Sequence, residues 1–301
     1  MASGRSRVSR LGLRSRSACT ALALALVLGA VPHGTRAEPP GAAAPLRVLL
    51  IGNSYTRFNM MPSLLRRLAL SVPDGPPLAV DFEAHGGSTL RRHRLDGRAQ
   101  AQLMAGRYTH VVLQDHSLRP VDKPDEFYES IARWKQTVDA VHAHTVLFAT
   151  WPRHPGARLY REHPNVHSFE EMAAQLGGAY EGAAQQNGAG LAPVGRAFER
   201  AVGELPELAL YKTDGAHPTM AGSFLAACVI YGAITGIDPR ASTYVPWELG
   251  PEQGTLVKTL AAETLGFAPL PESMTVAGSS VPEAATGVAD PTAVMTTNKP
   301  P

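Results

Sequence analysis

Three residues near opposite ends of the chain could together form a nucleophilic site: Ser54, Asp214 and His217. A serine hydroxyl is a weak nucleophile at neutral pH, and it becomes reactive when a nearby imidazole accepts its proton. The imidazole in turn needs a third group that fixes its tautomer and orientation, and an aspartate three residues before it can do this. These residue types and their spacing predict a catalytic triad with Ser54 as nucleophile, His217 as base and Asp214 as the orienting carboxylate.

Two further residues could stabilise the negative charge that develops when a serine attacks an acyl group. Gly87 follows an apolar run, and a glycine there lets a main-chain N–H approach a ligand closely. Gln114 directly follows another apolar run, and its amide can donate a hydrogen bond to a developing oxyanion. Taken singly, Ser54 could be a helix cap, Gly87 a turn residue and Gln114 a loop residue. Their occurrence at successive strand ends favours one shared site.

Trp151 and Arg153 follow a fourth apolar run, and they are candidates for contact with a substrate. We expect them to wall the crevice, although a tryptophan is equally common in a core. Five further histidines do not stand with a carboxylate or a cysteine at metal-ligand spacing: His142, His144, His154, His163 and His167. We therefore predict that the protein uses neither a metal nor another cofactor.

The candidate residues follow short apolar runs, which are typical of strands buried on both faces of a parallel sheet. Strands are predicted over residues 46–51, 78–83, 109–113, 145–149 and 191–194. Helices are predicted over residues 61–70, 89–104, 126–141, 169–186, 220–234 and 253–265, with a long loop over 151–167. This alternation predicts an α/β fold whose parallel sheet of about five strands has helices on both faces. Ligands bind such sheets at the carboxyl ends of the strands, where the candidates lie.

The first 37 residues have the pattern of a secretory signal peptide. A basic segment precedes an apolar stretch over residues 20–31, and small residues allow cleavage near Ala37. An uncleaved anchor is the alternative, although a membrane span needs about 20 apolar residues. We interpret residues 38–45 as a linker, 46–267 as a single domain and 268–301 as a disordered tail. The leader predicts a secreted or periplasmic protein.

Removal of the leader changes the charge balance of the chain. The full chain carries a net charge of +2, and residues 1–37 contain six arginines and no acidic residue, so the remainder carries −4. This balance argues against nucleic acid as a partner, because nucleic-acid-binding domains present a clustered basic face. A solvated helix face explains the basic run over residues 91–94. Cys228 is the one cysteine left after cleavage, so no intramolecular disulfide is expected.

The order of these residues resembles the four sequence blocks of the SGNH (GDSL-type) hydrolase superfamily. Gly-Asn-Ser at 52–54 resembles the first block, Gly-Asp-Ser, with asparagine in place of aspartate. Gly87 matches the second block, and Asp-Gly-Ala-His at 214–217 matches the fourth, Asp-x-x-His. In the third block, Gln114 stands where asparagine is usual. The resemblance covers residues 46–236 and is strongest to a branch with Gly-Asn-Ser and a glutamine third block.

The resemblance implies a flavodoxin-like, three-layer α/β/α fold and a serine esterase that acts without a metal. It implies an oxyanion hole built from the N–H groups of Ser54 and Gly87 and the amide of Gln114. The expected substrate is a small-molecule or carbohydrate ester, often an acetyl ester, with no nucleic-acid partner and no stable membrane insertion after signal cleavage. Two alternatives are a binding protein for carbohydrate or envelope that lost the activity, and an O-acyltransferase using the same triad.

Overall fold

The computed structural model describes residues 44–269 of the 301-residue chain. The predicted signal peptide, most of the predicted linker and most of the predicted tail lie outside the described residues. Five parallel strands form one sheet in the order β2-β1-β3-β4-β5. They are β1 (Leu46–Gly52), β2 (Leu78–Ala84), β3 (His110–Leu113), β4 (His144–Phe148) and β5 (Gly190–Ala192).

The sheet has a topological switch point between β1 and β3, where successive strands begin to be added on the opposite side of β1. The chain adds β2 on one side of β1, and it then crosses to add β3, β4 and β5 on the other side. This order is the flavodoxin-like one, in which a crevice opens between the carboxyl ends of β1 and β3. The predicted fold class is confirmed.

Helices cover both faces of the sheet and complete three layers. The helices are α1 (Ser54–Arg57), α2 (Met61–Leu70), α3 (Leu90–Asp96), α4 (Arg98–Ala105), α5 (Arg119–Asp122), α6 (Pro124–Asp139), α7 (Leu159–Glu162), α8 (Phe169–Asn187), α9 (Val194–Glu204), α10 (Met220–Thr235) and α11 (Gly250–Thr264). Short 3-10 helices span Phe58–Met60 and Pro239–Ala241. Helices α2, α9, α10 and α11 pack on one face, and α3, α4, α6 and α8 pack on the other.

Burial explains why β1 is apolar after Arg47, which is exposed near the start of the strand. Val48 and Leu50 point into one core, and Leu49 and Ile51 point into the other, and all four are buried. Helix α10 is apolar around its circumference because it packs against the sheet, α2 and α11 at once. Within the part of the chain that the structure describes, no helix is long and apolar enough to cross a membrane.

Three predicted elements differ from the observed ones. The helix predicted over residues 89–104 is interrupted at Gly97, whose φ of +71° ends α3 and begins α4. The strand predicted over 191–194 ends at Ala192, and the following helix, α9, was not predicted. The loop predicted over 151–167 contains the single-turn helix α7. The break at Gly97 and the single turn of α7 are too short for a periodic pattern to resolve. Helix α9 has 11 residues and buries Val194, Ala197, Phe198 and Ala201 at a helical period, so its pattern was present in the sequence and was missed.

Candidate active site

Ser54 is the first residue of α1 and lies at the carboxyl end of β1, where the crevice opens. The turn between strand and helix is tight at Gly52. A Cβ atom at this position would collide with the Thr56 hydroxyl and with the side-chain oxygen of Gln114. Only glycine therefore allows the turn that brings Ser54 to the edge of the sheet.

The structure brings Ser54, His217 and Asp214 together in a continuous chain of hydrogen bonds. His217 Nε2 lies 3.0 Å from Ser54 Oγ, and His217 Nδ1 lies 2.6 Å from Asp214 Oδ2. The carboxylate can only accept, so Nδ1 carries the proton and Nε2 is left as the acceptor that faces the serine hydroxyl. This is the tautomer that a general base needs.

The segment that carries the histidine is held in place from several sides. Asp214 Oδ1 accepts hydrogen bonds from the N–H groups of Ala216 and His217, both at 2.9 Å. The Phe58 ring stacks on the imidazole at a centroid distance of 4.4 Å. The amide of Asn59 donates to the carbonyl groups just after the histidine. Residues near the nucleophile therefore position the base as well.

The hydrogen bonds at Asp214 also determine its ionisation. Partial burial raises the pKa of this carboxyl, but hydrogen bonds from the His217 ring and from the N–H groups of His217 and Ala216 outweigh burial and lower the pKa to about 2. Asp214 is therefore ionised throughout the neutral range. A negative charge next to Nδ1 stabilises the imidazolium that forms when His217 accepts a proton.

Comparison with known proteins places this geometry in a family. No family model matches the chain, and no curated protein does. A solved structure from Slackia heliotrinireducens, assigned to the SGNH hydrolases, is 32% identical to this chain. The match covers 63% of this chain and 99% of that chain, with a TM-score of 0.56. The chain belongs to the SGNH hydrolases.

Two other solved structures share the fold of this SGNH hydrolase at 17% identity. A DUF4886 family protein from Bacteroides uniformis has a TM-score of 0.62, with 76% of this chain and 99% of that chain covered. A mutant of Axe2, an acetyl-xylooligosaccharide esterase from Geobacillus stearothermophilus, has a TM-score of 0.53, with 66% of this chain and 98% of that chain covered.

Asn53 replaces the usual aspartate of the first SGNH block, and the structure supplies a reason. Its side-chain oxygen accepts a hydrogen bond from the N–H of Tyr55 at 3.1 Å, which caps α1. Its side-chain nitrogen donates to the carbonyl of Ser88 at 3.0 Å. An ionised aspartate could make the first bond but could not donate the second. The asparagine therefore ties the nucleophile turn to the loop that follows β2.

Gly87 lies in that loop in a left-handed conformation, with φ of +68°. The N–H of Ser88 closes the turn by donating to the carbonyl of His85 at 3.1 Å. Within residues 44–269, the N–H groups of Ser54 and Gly87 have no hydrogen-bond acceptor. No direct hydrogen bond joins the two residues in that range; Asn53 links their loops.

Gln114 is 1% exposed, and both ends of its amide have partners in this SGNH hydrolase. Its oxygen accepts from the N–H of Asn53 and from the hydroxyl of Thr56, both at 2.9 Å. Its nitrogen donates to the carbonyl of Asp115. A main-chain N–H can only donate, so it fixes which end of the amide is the oxygen. Gln114 therefore holds the nucleophile turn, a task that the sequence did not predict.

Trp151 does not wall the crevice, because the structure buries it completely. Its ring stacks between the rings of Tyr55 and Phe198, at centroid distances of 4.3 and 4.2 Å. Its indole N–H donates to the carbonyl of Ala216 at 3.0 Å. Trp151 was expected to contact substrate, and its complete burial corrects this expectation. It instead supports the segment that carries Asp214 and His217.

Arg153 is only partly buried and lies in the loop that follows β4. Its guanidinium donates to the hydroxyl of Tyr55 and, at 3.0 Å, to the hydroxyl of Ser117. The guanidinium carbon lies 5.7 Å from the centre of the Tyr55 ring. Tyr55 directly follows the serine in the chain. Arg153 therefore reaches from the end of β4 across β3 to the end of β1.

His93 is a site residue that sequence reasoning missed. Its Nε2 lies 2.7 Å from the carbonyl of Gly52, and the side chain is 2% exposed. Burial lowers the pKa of His93, so the ring is a neutral donor to that carbonyl. Residues 91–94 were expected to form a solvent-exposed helix face. Arg91 and Arg92 are exposed, but His93 is buried. The basic neighbours concealed its position on the inner side of α3.

The histidines outside the triad do not form a metal centre in the part of the chain that the structure describes. No group of three or more His, Cys, Asp or Glu side chains there is close enough to hold a metal ion. Cys228 is fully buried in α10, and burial raises the pKa of its thiol. A neutral thiol without access to solvent is a packing residue rather than a nucleophile.

Proposed function

We propose that this protein is a serine esterase that hydrolyses acyl esters, with acetyl esters as the first class to test. The observation that carries the proposal is the chain of hydrogen bonds from Ser54 Oγ through His217 to Asp214, at 3.0 and 2.6 Å. We further propose that it represents a branch of the SGNH hydrolases with Gly-Asn-Ser in the first block and Gln114 in the third.

In the proposed reaction, His217 Nε2 accepts the proton of the Ser54 hydroxyl as Oγ bonds to the ester carbonyl carbon. The imidazolium then gives this proton to the departing alkoxide, which leaves as the alcohol, and an acyl-serine remains. Water next attacks the acyl carbon while His217 accepts a proton from it, and the carboxylic acid is released as Ser54 regains its hydroxyl. Asp214 keeps the imidazole in one tautomer through both halves of the cycle.

The oxyanion of the tetrahedral intermediate needs donors that are in place before the reaction. The N–H groups of Ser54 and Gly87 suit this role because neither is committed to an acceptor within the described residues. Each such donor is typically worth about 3 kcal/mol of the barrier. The side-chain nitrogen of Gln114 is the proposed third donor, and it also donates to the carbonyl of Asp115.

We propose a carbohydrate ester as the natural substrate class and an extracytoplasmic place of action. The carbohydrate proposal is supported by the shared fold with Axe2, which is described as an acetyl-xylooligosaccharide esterase. The location rests on the leader over residues 1–37, which is secretory in pattern. N-terminal sequencing of the exported protein would then begin near Glu38.

The decisive experiment is a hydrolysis screen with purified protein and a Ser54→Ala control. Aryl esters of increasing acyl length and a set of acetylated sugars would be compared, with and without an added acceptor alcohol. An esterase releases acid from short acyl esters, and the Ser54→Ala protein does not. Transfer to the acceptor in preference to water would indicate an acyltransferase, and sugar binding without any turnover would indicate a binding protein.

A further inference from the structure

Arg153 carries a charge that no acidic side chain balances. Within residues 44–269, no carboxylate oxygen lies within 4.0 Å of its guanidinium nitrogens. The recorded partners of the guanidinium are two neutral hydroxyls, those of Tyr55 and Ser117. Asp214 is near enough to act on Arg153 electrostatically, but His217 and Ala216 already occupy both of its oxygens.

Three other partly buried arginines pair with an acidic side chain, and among the described residues Arg94 is the remaining partly buried arginine without such a pair. Arg119 pairs with Glu126 at 3.2 Å, Arg200 with Glu263 at 2.8 Å and Arg240 with Asp238 at 2.6 Å. Removing a charge from water is costly unless an opposite charge or several hydrogen bonds replace the water. Burial accordingly lowers the pKa of Arg153. A guanidinium held by hydroxyls alone is therefore ready to receive an anion.

The hydrogen bond to Tyr55 places Arg153, and an anion bound to it, on the Tyr55 side of the proposed triad. The guanidinium donates a hydrogen bond to the hydroxyl of Tyr55, the residue that follows Ser54 in the chain. The centre of the Tyr55 ring lies 5.7 Å from the centre of the His217 ring. A second cation lies on another side of the imidazole: Lys212 Nζ is 5.1 Å from the centre of the Phe58 ring that stacks on His217. The two cations therefore lie on different sides of the imidazole, Arg153 beyond Tyr55 and Lys212 beyond Phe58.

We propose that Arg153 anchors an anion subsite and that the natural ester carries a carboxylate close to its acyl group. This inference rests on the proposed esterase activity at Ser54, and it narrows the substrate class to acidic esters. The planar guanidinium matches a carboxylate with two parallel N–H···O bonds, which fixes orientation as well as charge. A carboxylate bound there positions the ester over Ser54 and balances the charge of Arg153.

The test uses two aryl acetates that differ in charge, 3-acetoxybenzoate and 3-acetoxybenzamide. Each kcat/KM is divided by the rate of hydroxide hydrolysis of the same ester, which removes the intrinsic difference in reactivity. We expect the wild-type protein to prefer the benzoate by about tenfold or more, which corresponds to about 1.4 kcal/mol. The preference should shrink as salt concentration rises, because salt screens the attraction.

Substitution of Arg153 assigns the preference to this residue. In Arg153→Met the preference should fall to near one, and Arg153→Lys should keep part of it because a charge without the planar fork remains. Arg158→Met is the matched control, since it removes the same charge from an exposed arginine that pairs with Glu162. The control should keep the wild-type preference. Circular dichroism would check that the Arg153 variants fold.

The outcomes separate this inference from the esterase proposal. Turnover of both acetates at equal normalised rates would overturn the anion subsite and leave the esterase intact. Turnover of neither would overturn the esterase, and free benzoate would then be titrated against benzamide by calorimetry. If the wild-type protein binds benzoate but not benzamide, the anion subsite is supported without any catalysis. If it binds both equally, or neither, the anion subsite is overturned. This comparison needs no Arg153 variant, so it holds even if those variants fail to fold.

Discussion

The side-chain oxygen of Gln114 accepts a hydrogen bond from the main-chain N–H of Asn53 at 2.9 Å, and this bond joins the end of β3 to the turn that presents Ser54. The hydroxyl of Thr56 donates to the same oxygen from the first turn of α1. The third-block glutamine therefore supports the nucleophile turn by direct contact. Its proposed role as an oxyanion donor is additional to this support.

Replacing Gln114 should affect both catalysis and stability. Gln114→Ala leaves the buried N–H of Asn53 without an acceptor, which costs about 1–3 kcal/mol of unfolding free energy. If the amide also contacts the oxyanion, kcat on an aryl acetate falls about 10²-fold or more with little change in KM. Gln114→Asn should recover activity only in part, because its side chain is shorter. Steady-state kinetics and urea denaturation measure the two effects separately.

Thr56→Val provides the matched control for that experiment. It removes one donor to Gln114 and leaves the amide itself and the N–H bond of Asn53 in place. We expect a kcat close to that of the wild type, with a loss of stability of about 1 kcal/mol. A rise in KM alone for Gln114→Ala would instead make Gln114 a residue that positions substrate. No change in either constant would end the proposed catalytic role.

Asn53→Asp should impair the enzyme although it restores the usual residue of the first block. The new carboxylate can still cap α1 through the N–H of Tyr55, but it faces the carbonyl of Ser88 without a proton to donate. The repulsion should loosen the turn that links Ser54 to the loop of Gly87, and kcat should fall. Kinetics at neutral pH would measure this loss, and an unchanged kcat would show that the link to Ser88 is dispensable.

Asp214→Asn tests whether the triad acts as a unit. An amide at this position removes the negative charge beside His217 Nδ1 and can impose the wrong tautomer, so a large loss of kcat is expected with little loss of folding. His217→Ala should lose at least as much. Active-site kinetics on one aryl acetate compare the variants. A fully active Asp214→Asn beside an inactive His217→Ala would indicate a Ser-His dyad.

Much of this molecule could be predicted from its sequence, and the reasons are local. All five strands were predicted, and burial on both faces explains the apolar runs of the inner strands β1, β3 and β4. The edge strands β2 and β5 are only partly buried. Ser54 could be identified because it follows an apolar run, and Asp214 and His217 because they stand three residues apart. The fold then brings the segment of Asp214 and His217 to the carboxyl end of β1, where Ser54 lies.

What escaped prediction depends on contacts between distant segments. The bond from Gln114 to Asn53 requires the register of β1 against β3, which no local pattern contains. Trp151 follows a strand as expected, but only the packing of Tyr55 and Phe198 determines that it is buried. His93 stands among arginines, so the inner face of its helix could not be distinguished by composition.

Asp115 should make stability depend on pH in a predictable direction. Burial raises the pKa of this carboxyl from 3.8 to about 6, although the N–H groups of His116 and Leu90 donate to it. The folded protein holds the proton more tightly, so this group's stabilising contribution is complete below about pH 4 and is lost as pH rises through about 6. The change is about 3 kcal/mol at most.

Substitution isolates this contribution from those of other groups. In Asp115→Asn the carboxyl no longer titrates, so the difference in unfolding free energy between variant and wild type should shift in favour of the variant as pH rises from about 4 to about 7. Urea denaturation across that range measures the difference. A difference that does not vary with pH would show that Asp115 titrates normally.

The central claim is that Ser54 is a nucleophile activated by His217. A fluorophosphonate probe, followed by peptide mapping with mass spectrometry, tests this claim most directly because the probe bonds to activated serines. The account predicts one modified residue, Ser54, with labelling abolished in Ser54→Ala and greatly slowed in His217→Ala. Modification of a different serine, or wild-type labelling and turnover in the Ser54→Ala protein, would contradict it.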